Sequence, residues 1–106
     1  MSDTHQQLWS LIKSGEIRIS GHGYDEMAED GISAREAVAG FVDGVVVEKY
    51  PGYPKGRCIL MLQRDSVGKP IHVVWGIPKG ANSPAVMITA YRPDPKRWSE
   101  DYMRRR

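Results

Sequence analysis

Residues 20–27 read Ser20-Gly21-His22-Gly23-Tyr24-Asp25-Glu26-Met27, and the rest of the chain is organised around this stretch. It follows a short β-like run, Ile17-Arg18-Ile19, and opens a helix that we expect to reach about Asp30 before Gly31 ends it. The serine or the glycine at its start would cap this helix. His22 would then lie beside backbone N–H groups that lack partners within the helix, and such groups can hold an anion such as phosphate.

Length and composition predict one globular domain over residues 1–106, since 41% of the residues are hydrophobic and 26% are charged. Neither a run of membrane-spanning length nor a signal-peptide pattern is present, so we expect a cytoplasmic protein without membrane association. The single cysteine, Cys58, cannot build a disulfide framework, and we expect it to be buried packing. No cysteine–histidine spacing typical of a metal site occurs, and we expect neither metal nor cofactor. The oligomeric state is not indicated.

Charge is divided unevenly along the chain. Residues 1–44 contain three Lys or Arg and eight Asp or Glu, a net charge of −5, whereas residues 45–106 contain twelve and five, a net charge of +7. An acidic helical half joined to a basic half is a weak indication of a polyanionic partner. An ordinary soluble surface with uneven charge explains it equally well.

The first part of the chain has helical patterns. Leu8, Leu11 and Ile12 form an apolar stripe in a predicted helix over residues 4–14. Ser33-Ala34-Arg35-Glu36 is a capping box, which predicts a further helix that continues until Gly44 stops it.

After residue 44 the pattern becomes β-like. Short loops separate four predicted strands, at residues 45–50, 58–62, 71–77 and 85–91. Links of this length favour an antiparallel meander. Asp94 and Pro95 are good first residues for a last helix, in which Trp98 and Tyr102 would pack together. The prediction is an α+β domain: N-terminal helices, a four-stranded antiparallel sheet and a short C-terminal helix.

Several short motifs in this order resemble a known family. They are Ser20-x-His22, Met27, Gly31-Ile32-Ser33, Pro70–Val74, Ile88–Asp94 and Trp98. Over roughly residues 16–98 they resemble a domain-of-unknown-function family of small bacterial proteins. That family is placed beside the RelE-type toxins in the barnase, EndoU, colicin and RelE-like ribonuclease superfamily. The resemblance implies a RelE-like fold and, more weakly, metal-independent RNA cleavage or RNA binding in a toxin–antitoxin setting. The partners would be RNA or the ribosome, and an antitoxin-like protein.

Such cleavage needs a base, an acid and a cation beside the phosphate, and histidine, arginine and lysine supply them. We predict the site in a cleft between the helix start at His22 and the sheet face that carries His72. The predicted catalytic residues are His22, His72 and Arg57. The predicted substrate-binding residues are Lys55, Thr89, Tyr91 and Arg92.

Each of these residues also has a plain structural explanation. His22 could simply brace the helix start, and a lone strand histidine such as His72 is more often a hydrogen-bonded core residue. The family usually has arginines where this chain has Glu26 and Asp30, so two cations have become two anions. This departure favours the alternative function, a non-catalytic protein-interaction module that is a degenerate RelE-like relative. A small-molecule enzyme has no supporting nucleotide or metal motif.

Overall fold

The protein is described from a computed structural model, which covers residues 3–106 with three helices and five strands. In chain order these are α1 (Thr4–Lys13), β1 (Ile17–Ile19), α2 (Gly21–Asp30), α3 (Ala34–Ala39), β2 (Val45–Tyr50), β3 (Cys58–Arg64), β4 (Pro70–Gly76) and β5 (Ala85–Tyr91). None of the helices in this part of the chain has the length and apolar character that crossing a bilayer requires.

The strands form one mixed sheet in the order β1-β5-β4-β3-β2. The last four strands make the predicted antiparallel meander, whereas β1 lies beside β5 and runs parallel to it, with Ile17 opposite Ala85 and Ile19 opposite Met87. The four predicted strands are thus antiparallel as expected, but the sheet is five-stranded and mixed, because β1 adds a parallel strand at its edge. A three-residue strand shows too little alternation to reveal its pairing, and this partner lies almost seventy residues further along the chain.

The predicted C-terminal helix is not formed. Residues 95–97 make a single turn, and the chain then folds back so that Trp98 pairs with Arg105. Side chains compete with the helix for backbone N–H groups, because Asp101 Oδ1 accepts from Met103 N at 3.1 Å and Ser99 Oγ accepts from Arg104 N at 3.1 Å. We call residues 94–106 the C-terminal segment.

The hydrophobic core lies between the sheet and the helices. Leu8 and Ile12 of α1 are buried against it, as the stripe predicted, and Phe41 meets Trp75 edge-on at 5.8 Å between ring centroids. The third helix has the predicted capping box but ends at Ala39, five residues before the predicted stop. A Cβ on Gly40 would lie 2.9 Å from the carbonyl oxygen of Arg64, so this glycine lets the chain pass close to β3.

The second helix runs along the edge of β5 beyond the end of β1. Ser20 caps it by accepting from Gly23 N at 2.9 Å, and the same hydroxyl donates to the carbonyl of Ile88 at 2.7 Å. At the other end Gly31 adopts φ 66° and stops the helix, as predicted. The helix start is therefore fastened directly to the last strand.

The sheet face opposite the helices has two different halves. At one end the C-terminal segment covers it, with Trp98 packed on His72 and Arg105 paired with Glu48 at 2.8 Å. At the other end, beside β1 and the start of β5, a cleft is left open.

Candidate functional site

The open half of this sheet face holds a cleft of about 460 Å³, which we call the His22 cleft. Its floor is formed by β4 and β5, one wall by β1 and the start of α2, and the other wall by the loop at residues 51–57. Its lining residues are Arg18, Ser20, His22, Tyr53, Lys55, Gly56, Gly76, Ile77, Pro78, Val86 and Ile88. Cavities of this volume are large enough to take a small-molecule-sized group.

His22 lies in the first turn of α2, as predicted, and its side chain is 66% exposed. Its Nε2 is 3.5 Å from Oε1 of Glu26, one helical turn later. Asp30 lies two turns away, about 12 Å along the axis. One of its carboxylate oxygens accepts from the backbone N–H of Arg92 at 2.8 Å. Glu26 and Asp30 thus have different environments, and only Glu26 contacts the histidine.

Two cations line the cleft. Arg18 stands between Ile17 and Ile19, which pack against the core, so strand alternation turns its side chain to the cleft side. Lys55 approaches from the facing loop. Among the residues that the structure describes, no acidic side chain lines the cleft. The cleft therefore combines an accessible imidazole with two positive charges and suits an anion.

The loop that carries Lys55 is held firmly in place. Gly56 is buried with φ 133°, and a methyl group there would clash with the carbonyl oxygen of Ile77. The carbonyl of Lys55 accepts from Lys79 N at 2.9 Å, and that of Arg57 accepts from Ile77 N at 3.0 Å. The backbone of this loop is thus fastened to the chain that follows β4.

His72 does not line the cleft. It is fully buried, with Nε2 3.0 Å from the carbonyl oxygen of Tyr102 and Nδ1 3.3 Å from the hydroxyl of Tyr91. A carbonyl only accepts, so Nε2 carries the proton. Burial lowers the pKa of His72, and burial likewise raises the pKa of Tyr91. The structure places both residues under the C-terminal segment, about four residues or 13 Å along β4 from Gly76 at the cleft.

Three predicted site residues, His72, Thr89 and Tyr91, lie in a row on this sheet face, but the row is not a binding surface along its whole length. His72 is opposite Tyr91, and Thr89 is opposite Val74, partly buried between the cleft and the C-terminal segment. The hydrogen-bonded pair at one end of the row holds the C-terminal segment to the sheet.

Two predicted cations are turned away from the cleft. Arg57 donates to Gln7 Oε1 from Nε at 3.0 Å and from Nη2 at 2.7 Å, on the helix side of the sheet. Arg92 Nη1 lies 2.8 Å from Oδ2 of Asp65. Burial acts to raise the pKa of Asp65, but hydrogen bonds from the backbone of Lys69 and from Arg92 outweigh it and lower the pKa. Both arginines therefore hold parts of the fold together.

Of the seven predicted site residues, the cleft thus contains His22 and Lys55. Arg18 and Tyr53 are cleft residues that the sequence analysis missed. Isoleucine–arginine–isoleucine alternation was a signal for Arg18, since it puts the arginine opposite the core. Nothing in the sequence showed that this short strand lies beside the last one.

A larger groove, of about 730 Å³, lies between α3 and the end of β3. Three of the charged residues that line it, Glu36, Arg64 and Asp65, are paired within the protein. Glu36 accepts from the backbone N and hydroxyl of Ser66 at 2.9 and 2.8 Å, which lowers its pKa. Arg64 donates to the carbonyl of Gly68 at 3.2 Å. This groove is less suited to binding a charged ligand than the His22 cleft.

Within residues 3–106, no group of three His, Cys, Asp or Glu residues is arranged to hold a metal ion.

Comparison with protein-family models matches residues 19–92 to the family described as domain of unknown function DUF4258. The chain belongs to this family. The matched segment extends from the end of β1 to the residue after β5, so it contains the His22 cleft except for Arg18. Neither the curated proteins nor the solved structures contain a match to the chain. The predicted membership of a domain-of-unknown-function family is confirmed, and the relation to RelE-type toxins stays a prediction.

Proposed function

We propose that the protein binds RNA in the His22 cleft and cleaves it without a metal ion. The observation that supports this most strongly is that an exposed histidine, Arg18 and Lys55 line one cleft, to which no acidic side chain within residues 3–106 contributes. The first turn of α2 adds the positive end of a helix dipole at the same place. The net charge of +7 on residues 45–106 would strengthen the attraction of a polyanion.

The proposed reaction is a transesterification, in which the phosphoryl group of a phosphodiester is transferred from the 5′-oxygen to the neighbouring 2′-oxygen. His22 takes the proton of the 2′-hydroxyl, whose oxygen attacks phosphorus as the bond to the 5′-oxygen breaks. The departing 5′-oxygen takes a proton from water. Arg18 and Lys55 neutralise the charge that builds up on the phosphorus oxygens. The products are a 2′,3′-cyclic phosphate and a free 5′-hydroxyl, and no electron transfer is involved.

The assignment of the cations can be tested by RNA binding. Arg18→Ala and Lys55→Ala should each weaken binding and reduce the slope of log affinity against log salt by about 0.7, the value for one phosphate contact on a single strand. Arg57→Ala is the matched control, because its guanidinium is bonded to Gln7 on the other side of the sheet. If the control weakens binding as much as the two cleft variants do, the cleft is not the RNA site.

A RelE-like fold and a toxin-type role are part of the same proposal. They are supported by the sequence resemblance and by the arrangement of helices before an antiparallel meander. A toxin that acts on RNA at the ribosome would work in the cytoplasm. Cleavage of ribosome-free RNA with and without EDTA tests metal independence, and cleavage with and without purified ribosomes in magnesium buffer tests ribosome dependence. Cleavage that EDTA abolishes would contradict the proposed chemistry.

The alternative is a protein-interaction module, and the free edge of the sheet favours it. The outer strand β2 begins with Val45, which is 49% exposed, and Val42 just before it is 59% exposed. An edge strand of this kind can accept a strand from a partner. Coexpression with the product of the neighbouring reading frame, followed by size-exclusion chromatography, tests it. A complex that Val45→Lys disrupts, together with inactivity toward RNA, would favour this alternative over cleavage.

A further inference from the structure

The His22 cleft has an aromatic residue on its rim that the proposed reaction does not use. Tyr53 lines the cleft and is 47% exposed, so its ring is accessible to a ligand that enters the cleft. It lies two residues before Lys55, one of the two cations, on the same wall of the cleft. A ring face and a positive charge are therefore presented side by side to whatever enters the cleft.

The backbone that carries this ring is ordered by its own hydrogen bonds. The Tyr53 N–H donates to the carbonyl of Tyr50 at the end of β2 at 3.4 Å, and its carbonyl accepts from Gly56 N at 3.0 Å. Gly56 is itself wedged against the chain after β4. Because this turn already orders the backbone, a ligand that stacks on the ring does not have to pay for ordering the loop.

The floor of the cleft is apolar and shallow next to this ring. It consists of Val86, Ile88 and Gly76, and a Cβ on the glycine would lie 2.9 Å from Cδ1 of Ile88. The glycine therefore leaves room for the Ile88 side chain to lie across the floor. An aromatic rim and cations on both walls match the base and the phosphate of a nucleotide.

We infer that the cleft takes single-stranded RNA, with one base stacked on Tyr53 and the adjoining phosphate held between Arg18 and Lys55. This inference rests on the proposed function and specifies its substrate class. In a duplex both faces of each base are already stacked on neighbouring bases, so only an unpaired nucleotide has a face to offer to the ring. Proteins that bind single strands combine a positive groove with exposed aromatic rings in this manner.

The chain offers a matched control in a second exposed tyrosine. Tyr24 is 57% exposed and lies on α2, two residues after His22. Two residues turn an α-helix by about 200°, so Tyr24 faces away from the side that carries the histidine. It is not among the residues that line the cleft.

The test is fluorescence anisotropy with a labelled RNA oligonucleotide that carries 2′-O-methyl groups and so cannot be cleaved. Wild-type protein should bind the single strand more tightly than the same sequence in a duplex. Tyr53→Ala should weaken single-strand binding roughly 5- to 100-fold, the effect of removing one base–aromatic stack. Tyr53→Phe should restore most of the affinity, because the ring is kept, whereas Tyr53→Leu should not. Tyr24→Ala should bind like the wild type.

The outcomes separate the inference from the function on which it rests. If Arg18→Ala weakens binding but Tyr53→Ala does not, or if duplex and single strand bind equally, the inference fails and RNA binding in the cleft stands. If wild-type protein binds neither form, the proposed function fails and the inference falls with it. Thermal unfolding of each variant shows whether a loss of binding reflects a loss of fold.

Discussion

Acidification should destabilise the fold through His72. The buried, neutral imidazole has a pKa below its ordinary value of 6.5, mainly because burial disfavours the charged form. Below pH 6.5 the unfolded chain binds a proton that the folded chain does not. The contribution of His72 to the free energy of unfolding is therefore fully present above pH 6.5 and is lost as the pH falls through the lowered pKa. The hydrogen bond from Nε2 to the carbonyl of Tyr102 acts in the opposite direction and raises this pKa, but burial outweighs it.

The size of the effect has an upper limit. One proton gives a slope of at most about 1.4 kcal/mol per pH unit, so the loss between pH 6.5 and pH 5 is at most about 2 kcal/mol. A loss of 1 kcal/mol lowers the Tm of a domain of this size by roughly 4–8 °C. Glu36, Asp65 and Asp101 also have lowered pKa values, but their ordinary values of 4.5 and 3.8 place their contribution at lower pH.

The assay is urea unfolding at a series of pH values from about 8 to 5, which gives the free energy of unfolding at each. His72→Gln removes the titrating ring and should remove most of the slope in this window. NMR titration of the wild-type ring gives an independent measurement. A ring that titrates at or above its ordinary pKa, or a slope that His72→Gln leaves unchanged, would refute the reasoning.

Three further variants test other parts of the fold. Gly56→Ala should lower the free energy of unfolding by about 1–3 kcal/mol or more, as calorimetry would measure, because the methyl group meets the carbonyl oxygen of Ile77 and the backbone has a positive φ. The loop that carries Lys55 would have to move, so RNA binding measured by anisotropy should weaken as well. Gln63→Leu should cost about 1–3 kcal/mol in urea unfolding for each polar group left unpaired, since Gln63 accepts from Trp75 Nε1 at 2.9 Å and donates to a buried carbonyl. Trp98→Ala should cost about 3–5 kcal/mol and, by opening the cover over His72, should reduce the pH dependence of unfolding. A Trp98→Ala protein with wild-type stability would mean that the C-terminal segment adds little to the fold.

Local signals in the sequence predicted the elements that depend on local physics. The serine and glutamate of the capping box fixed the start of α3, and the strand predicted at residues 58–62 forms the first part of β3. Residues 45–50 and 85–91 form the predicted strands with the predicted bounds. Each of these features is decided within a few residues by caps, breakers and alternation.

The errors arose where distant parts of the chain meet. The parallel pairing of Ile17–Ile19 with β5 depends on a partner that the short strand does not reveal. The same pairing places Arg18 in the cleft. Arg57 and Arg92 looked like available cations, yet their partners, Gln7 and Asp65, are 50 and 27 positions away in sequence. Side-chain pairing of this kind cannot be seen from composition or spacing.

The most direct test of the proposed function is the rate of RNA cleavage by His22→Ala in the presence of EDTA. Removal of a general base should lower kcat/KM roughly 100- to 10,000-fold while leaving the fold intact. His5→Ala is the matched control, because His5 stacks on Phe41 at 5.1 Å between ring centroids, on the helix side of the sheet, and should cleave like the wild type. If His22→Ala cleaves RNA as fast as the wild type and the control do, His22 is not the base and the proposed active site is wrong.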